Sequence, residues 1–292
     1  MAFLLTKFIQ LTLFFMGLLP LKVISYLAQF YFLLYKPIKT DAYSTTFTNL
    51  NIAFPGMKKD EIEKMTLVSL TETAKTVLEM GLVWSKLPGK DTSKYLQVKG
   101  IKSIKRSLDE NKGLILFAPH LSNIEMILNY LGRSMSCMAL YTPSKNKYFD
   151  KVMLSARSKM GVRMVETNLA GIKSILTNLK NGGVVVIASD QVPKPEGGVL
   201  SKFFTLPALT MTLVARLKLK SDAPCHSLFC IRKTRKTGFE LRFSDKIDGM
   251  GIDLQSSVDR MNEELEKCIM IAPEQYSWEY KRYKHSSQKS LY

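Results

Sequence analysis

From Tyr95 onward the chain alternates short apolar runs with longer segments of helical period, and this alternation restricts the possible folds more than any other feature. The runs Tyr95–Val98, Leu114–Ala118, Cys137–Tyr141 and Val184–Ala188 read as strands. Between them the spacing predicts a helix ending at Glu110, another ending at Leu131, and helices over Tyr148–Met160 and Gly171–Lys180. Farther on come a helix near Ala208–Leu217, strands near Ser227–Ile231 and Phe239–Phe243, and a long amphipathic helix over Asp253–Ile271. Strand-helix alternation of this kind specifies an α/β fold: a mostly parallel or mixed central sheet flanked by helices.

The first 35 residues are of another kind. Phe8–Leu21 and Val23–Tyr35 are two apolar runs separated only around Pro20-Leu21-Lys22. Neither reaches the roughly 20 apolar residues that a spanning helix requires, so the segment reads as one Pro-kinked, tilted span or as a helix pair in the interface. Either way it is expected to be an N-terminal hydrophobic membrane-anchoring segment. It lacks a small-x-small cleavage site, and its second run would survive removal of a signal peptide. Apolar residues Ile62, Met65, Leu67, Val68, Leu70, Val77, Leu78 and Met80 then fall at helical spacing within Asp60–Trp84, ending near Pro88-Gly89. The expected organisation is an anchor over 1–40, a helical neck over 41–94 and an α/β catalytic domain over 95–292.

With 42 Lys+Arg against 25 Asp+Glu, the net charge of +17 predicts a polyanionic partner. The apolar N-terminus favours anionic lipid over nucleic acid, and no specific nucleic-acid partner is expected. Lys36, Lys39, Lys58 and Lys59 follow the apolar segment, which by the positive-inside rule places the main domain in the cytoplasm. Cys137, Cys225, Cys230 and Cys268 form no CxxC pair and have no His at ligand spacing, so they are expected to be buried thiols rather than disulfides or a zinc site.

The candidate chemistry centres on His120, one of three histidines, placed just past the buried run Leu114–Ala118, where the carboxyl edge of an α/β sheet opens into a crevice. An imidazole with a pKa near about 6.5 is suited to take a proton from an alcohol attacking a carbonyl. Five residues on, Glu125 is a candidate to orient that imidazole. The same stretch also fits a capping box, with Ser122 as the cap and Glu125 reaching back to it. Arg157, at the end of a helical segment, suits a phosphate or an oxyanion, or is an ordinary surface arginine. Asp190 closes the apolar run Val184–Ser189 and either positions the acceptor or caps a turn. The Pro- and Gly-punctuated stretch from Val192 to Leu206 reads as a wall over the site or as an irregular connection. Lys281, Arg282, Lys284 and His285 suit phosphorylated headgroups or form a solvated basic tail. A P-loop ending is absent beside Gly197-Gly198, and there is no G-x-S-x-G, so neither nucleotide hydrolysis nor a serine acyl-enzyme is expected.

Seven blocks occur together in order: Asn49-Leu-Asn-Ile-Ala-Phe-Pro55, His120-Leu-Ser-Asn-Ile-Glu125, Arg157-Ser-Lys-Met-Gly161, Ser189-Asp-Gln-Val-Pro193, Phe203-Phe-Thr-Leu-Pro-Ala208, Pro273-Glu-Gln-Tyr-Ser-Trp278 and Tyr280-Lys-Arg-Tyr-Lys284. This ordered set resembles the late (secondary) acyltransferases of bacterial lipid A biosynthesis, over about Leu19–Lys284. The resemblance implies an inner-membrane enzyme of Gram-negative bacteria with a cytoplasmic site. It implies an H-x4-D/E dyad at His120 and Glu125, an active-site arginine at Arg157, and an Asp-Gln motif at Asp190 and Gln191. It further implies acyl transfer from acyl carrier protein, or sometimes coenzyme A, to a hydroxyl of a lipid A precursor glycolipid. Acyl carrier protein, that glycolipid and anionic inner-membrane lipids are thus the expected partners; no cofactor and no metal is expected, the acyl thioester serving as co-substrate. Many members of the family have Gly where Ser122 stands, Trp where Ile124 stands and Gly where Thr205 stands. Two other readings are a glycerophospholipid acyltransferase and a non-catalytic, basic, lipid-binding membrane protein.

Overall fold

The computed structural model describes residues 2–35, 40–88, 90–233, 238–285 and 291–292. Lys36, Lys39 and Gly89, which entered the reading of the N-terminal half, lie outside the described residues.

Helix α1 (Ala2–Leu18) and helix α2 (Leu21–Tyr35) meet at an angle of 108°. Pro20 causes the break: it has no N–H to continue the first helix, and its ring disfavours helical geometry at Leu19. No single helix among the described residues is long and apolar enough to cross a membrane, while the bent pair passes that test together. Helix α3 (Asp41–Ala53), capped by the Thr40 hydroxyl on the Tyr43 amide, leads to the long helix α4 (Lys59–Gly81), which widens into a π-helical turn at Leu82–Lys86. Both N-terminal helices pack on α4. At the α1 crossing Gly17 faces Gly81, and a Cβ on Gly81 would stand 2.4 Å from that of Met16, so the backbones meet only because side chains are missing there.

Strands β1 (Leu96–Lys99), β2 (Leu114–Ala118), β3 (Cys137–Tyr141), β4 (Val162–Glu166), β5 (Val184–Ala188), β8 (Cys225–Arg232) and β9 (Phe239–Phe243) form one sheet in the order β1-β9-β8-β2-β5-β3-β4. Every pairing is parallel except β8 with β9. The expected α/β fold with a mostly parallel sheet is therefore present. Helices α5 (Ile101–Asp109), α6 (Ile124–Ser134) and α7 (Lys147–Lys159) share a core with Leu114, Leu116, Ala118, Val184 and Val186. Helices α8 (Leu169–Lys180), α9 (Leu213–Ser221) and α10 (Leu254–Ile269) share the other with Ile115, Phe117, Val185 and Ile187. Side chains alternate along each strand between the two cores, which is why these runs are almost continuously apolar.

Two elements depart from the sequence reading. Strand β4 was passed over between two helices: it is an edge strand whose Arg163 and Glu166 interrupt the apolar pattern. The stretch after Pro193 is not irregular, because Gly198–Phe203 (β6) and Leu206–Met211 (β7) form an antiparallel hairpin. Pro207 argues against a strand, and the two-residue connection Phe204-Thr205 carries no glycine although Phe204 has φ of 54°, so the usual hairpin signals are missing. For the same reason the helix expected near Ala208–Leu217 begins only at Leu213.

Candidate active site

The register of two strands sets the centre of the site. β2 and β5 are parallel neighbours with Ala118 opposite Ala188, so His120 and Asp190 each leave the sheet two residues beyond a paired position, side by side at its carboxyl edge. Asp190 Oδ1 lies 2.6 Å from His120 Nδ1, and its Oδ2 accepts the His120 backbone N–H at 2.8 Å. The aspartate side chain is 3 % exposed and the imidazole 29 %, so the carboxylate is buried behind a partly exposed ring.

Burial by itself pushes the His120 pKa down, but the charge and hydrogen bond of Asp190 outweigh it, and the net shift is upward against the opposing charge of Arg157. For Asp190, burial pushes upward, yet the charge of His120, its two hydrogen bonds and the charge of Arg282 hold the carboxyl below its usual range. An ionised carboxylate only accepts, so Nδ1 carries a proton, and in the neutral ring Nε2 keeps a lone pair. Asp190 is thus the partner of the imidazole, neither a free acceptor-binding group nor only a turn cap.

Glu125 occupies a different position from the one expected. It does not orient His120, and it closes no capping box. Its Oε1 accepts Arg157 Nη2 at 2.5 Å, and its Oε2 accepts Arg157 Nε at 3.1 Å and Trp84 Nε1 at 2.7 Å. The cap of α6 is Asn123, whose Oδ1 accepts the Met126 amide, and Ser122 stands before it at φ of 55°. The left-handed backbone at Ser122 swings the chain so that Glu125 points toward α7 and the π turn, away from His120 Nδ1. Arg157 is accordingly a half-buried ion-pair partner rather than an ordinary surface arginine, and its charge reaches His120. Gln191, beside Asp190, is exposed.

Several neighbours of the dyad are not among the candidate site residues, although Asn49 and Tyr276 lie in two of the seven ordered blocks. The segment Pro273–Trp278 runs beside His120–Ser122: the Ser277 amide donates to His120 O, and the Ser122 amide to Gln275 O at 2.7 Å. It brings in Tyr276, whose hydroxyl is pushed far up by burial and by the charge of Asp190, with which it is hydrogen-bonded, so it stays a donor. It also brings in Glu279, whose carboxyl burial pushes up. Asn49 Nδ2 fastens the same segment by donating to Trp278 O and Tyr280 O. Behind the loop, Arg232 joins Glu79, Glu72 and Thr76, and Glu79 accepts Asn123 Nδ2 at 3.0 Å. The supposed basic tail is corrected in part: Arg282 is buried, donates to Leu209 O and Thr210 Oγ1, and stacks on Phe203.

The four cysteines are buried thiols, and burial pushes those of Cys137, Cys225 and Cys268 to about 12, far from a thiolate nucleophile. No group of His, Cys, Asp and Glu fit to hold a metal ion occurs among the described residues.

An imidazole backed by a buried carboxylate at the carboxyl edge of an α/β sheet is an arrangement suited to general-base chemistry. The profile of the bacterial lipid A biosynthesis acyltransferases matches residues 4–285, and the chain belongs to that family. It is 27% identical over 280 residues to the lipid A biosynthesis palmitoleoyltransferase of Escherichia coli, covering 94% of this chain and 90% of that one. It is 26% identical over 242 residues to the lauroyltransferase of the same organism, covering 81% and 77%. A lipid A biosynthesis acyltransferase of Haemophilus influenzae is 26% identical over 239 residues, covering 79% and 72%.

Proposed function

We propose that this protein transfers a fatty acyl group from a thioester, on acyl carrier protein or coenzyme A, to a hydroxyl of a lipid A precursor, with His120 as general base. The observation that carries this reading is the His120–Asp190 pair, in which Nδ1 of a partly exposed ring is committed to the carboxylate and Nε2 has no hydrogen-bond partner among the described residues. The acceptor hydroxyl gives its proton to Nε2 as its oxygen attacks the thioester carbonyl. Asp190 holds the ring and stabilises the imidazolium, which then protonates the departing thiolate. Glu125 and Trp84 fix Arg157 so that its guanidinium offsets charge on the tetrahedral intermediate. Substrates meet in a ternary complex with no acyl-enzyme.

The exposed apolar residues of α1 and α2, among them Phe3, Phe8, Phe14, Phe15, Leu27 and Phe30, support membrane association of this end of the molecule. Each Lys or Arg near an anionic leaflet adds on the order of 1 kcal/mol, in keeping with the excess of basic residues. The reading places the enzyme at the inner membrane with its site facing the cytoplasm.

The test combines purified protein in detergent, carrier protein loaded with a defined acyl chain, and tetra-acylated lipid A precursor, with the lipid product weighed by mass spectrometry. Wild type is expected to add one acyl mass and His120→Ala, folded by its melting curve, to add none. Absence of transfer from either carrier to the precursor or to a lysophospholipid would leave a lipid-binding role in its place.

A further inference from the structure

A cavity of about 470 Å³ with charged and apolar walls opens between α2 and the carboxyl end of β8, on the same sheet edge as His120 and outside the dyad. Its inner wall is the charged network of Glu72, Glu79 and Arg232, closed by Gln275. Gln275 is the partition between cavity and dyad: its carbonyl accepts the Ser122 amide, while its side chain accepts the Arg232 amide at 2.7 Å and donates to the Arg232 carbonyl.

The outer wall is the informative one. Helix α2 is apolar on its exposed side, with Val23, Leu27 and Phe30 in solvent, yet Lys22, Ser25 and Gln29 fall at i, i+3 and i+7 on one stripe, and all three line the cavity. The exposed Lys22 ammonium and Gln29 amide and the half-buried Glu274 carboxylate, also at the wall, are free of protein hydrogen-bond partners among the described residues and so open to a ligand. A cation, an amide and a carboxylate converging without protein partners, beside an apolar helix face, match an amphipathic ligand whose polar end carries hydroxyls and a negative group. The size suits a sugar headgroup.

We infer that this cavity holds the sugar headgroup of the acceptor glycolipid, so that its acyl chains lie along α2 and the headgroup sits on the sheet edge that carries His120. The inference rests on the proposed transfer reaction and adds to it a place for the acceptor. Ser25 and Gln29 engage the headgroup, and Lys22 meets its anionic substituent.

The test measures equilibrium binding of the tetra-acylated precursor in detergent, and kcat and KM for its acylation, with wild type, Ser25→Phe and Gln29→Phe. Both substitutions place a ring in the cavity from a helix surface. With melting temperatures and binding to phosphatidylglycerol vesicles unchanged, each is expected to weaken precursor binding at least tenfold and raise KM in parallel, leaving kcat within about twofold. The deacylated sugar phosphate should compete for wild type, and phosphatidylglycerol micelles should not. Two folded variants that bind and turn over the precursor as wild type does would overturn the inference while leaving the transferase reading intact. Effective competition by phosphatidylglycerol would make the cavity a phospholipid site and overturn it too. A wild type that transfers nothing would remove the reading beneath it.

Discussion

His120 and Asp190 lie 70 residues apart in the chain and 2.6 Å apart in space, brought together by the in-register pairing of Ala118 with Ala188 on adjacent parallel strands. The pair is also held through the backbone, since one carboxylate oxygen takes the ring N–H and the other the main-chain N–H of the same histidine. The imidazole therefore has one orientation relative to the sheet edge, set by two rigid elements rather than by a loop.

Asp190→Asn tests this pair most directly. An amide keeps the shape but loses the charge that stabilises the imidazolium, so kcat should fall about 100- to 10,000-fold, with a smaller effect on acceptor KM. The pH profile separates this from a folding defect. Because Asp190 raises the His120 pKa, the neutral base is available in wild type only above that raised value. In the variant the acid-side limb should move to lower pH even as its plateau drops, as followed in kcat/KM between pH 5 and 9. An unmoved limb would detach His120 from the rate-controlling ionisation.

Glu125 and Arg157 should behave as one unit. Both side chains are largely buried, and removing one partner leaves the other charge uncompensated, at a cost of about 3–5 kcal/mol in unfolding free energy. Glu125→Gln and Arg157→Gln should each show most of that loss in denaturant titrations, and the double variant little more than either alone. A Glu125→Gln/His120→Ala pair should instead be additive in stability, because those side chains share no hydrogen bond. Additivity between Glu125 and Arg157 would contradict the bidentate geometry.

The sequence made the buried strands and the carboxyl-edge location of His120 plain, because apolar runs and their order depend on local pattern. It did not reveal which carboxylate faces the histidine. Spacing along the chain favoured Glu125, five residues away; the actual partner is selected by strand register, a long-range property that periodicity does not encode. The redirecting element, a left-handed serine, is likewise silent, since a single φ leaves no mark on composition. Trp84, Glu79 and Arg232 were missed for a related reason: they reach the loop from α4 and its π turn and from β8, and only the packing of those elements brings them near. Arg282 reads as part of a basic tail because its neighbours Lys281 and Lys284 are exposed, whereas its own side chain turns inward beside that of Tyr283.

Ser122→Gly should stabilise the protein. Ser122 stands at φ of 55°, where an L side chain is disfavoured, and its buried hydroxyl has no hydrogen-bond partner among the described residues. Relief of both, offset by the roughly 1 kcal/mol entropic cost of glycine, leaves a gain of about 1 kcal/mol. The measurement is the chemical denaturation midpoint at unchanged m-value. A loss of stability would mean that the hydroxyl is satisfied within the folded protein.

His226 gives the fold a pH dependence of its own, remote from the dyad. Its ring is wholly buried, with Nδ1 on the Ser244 carbonyl at 3.1 Å and Nε2 beside the Ser107 hydroxyl at 2.8 Å. The carbonyl fixes the proton on Nδ1, so Nε2 accepts from Ser107, and protonation would break that bond. Burial is the main cause of its lowered pKa, outweighing the Ser244 bond that pushes upward. The folded value thus lies below the unfolded one, near about 6.5, and the unfolded state binds the extra proton. Stability from this group is complete above about pH 6.5 and declines as pH falls toward its folded pKa. His120, with its raised pKa, contributes with the opposite sign, so its stabilisation is full at low pH and fades as pH rises through the folded value. The difference between wild type and His226→Gln isolates the first effect. The melting temperature of wild type should fall more steeply than that of the variant between pH 7 and 5, and the two curves should converge on acidification. Parallel curves would place the proton acceptor of acid destabilisation elsewhere.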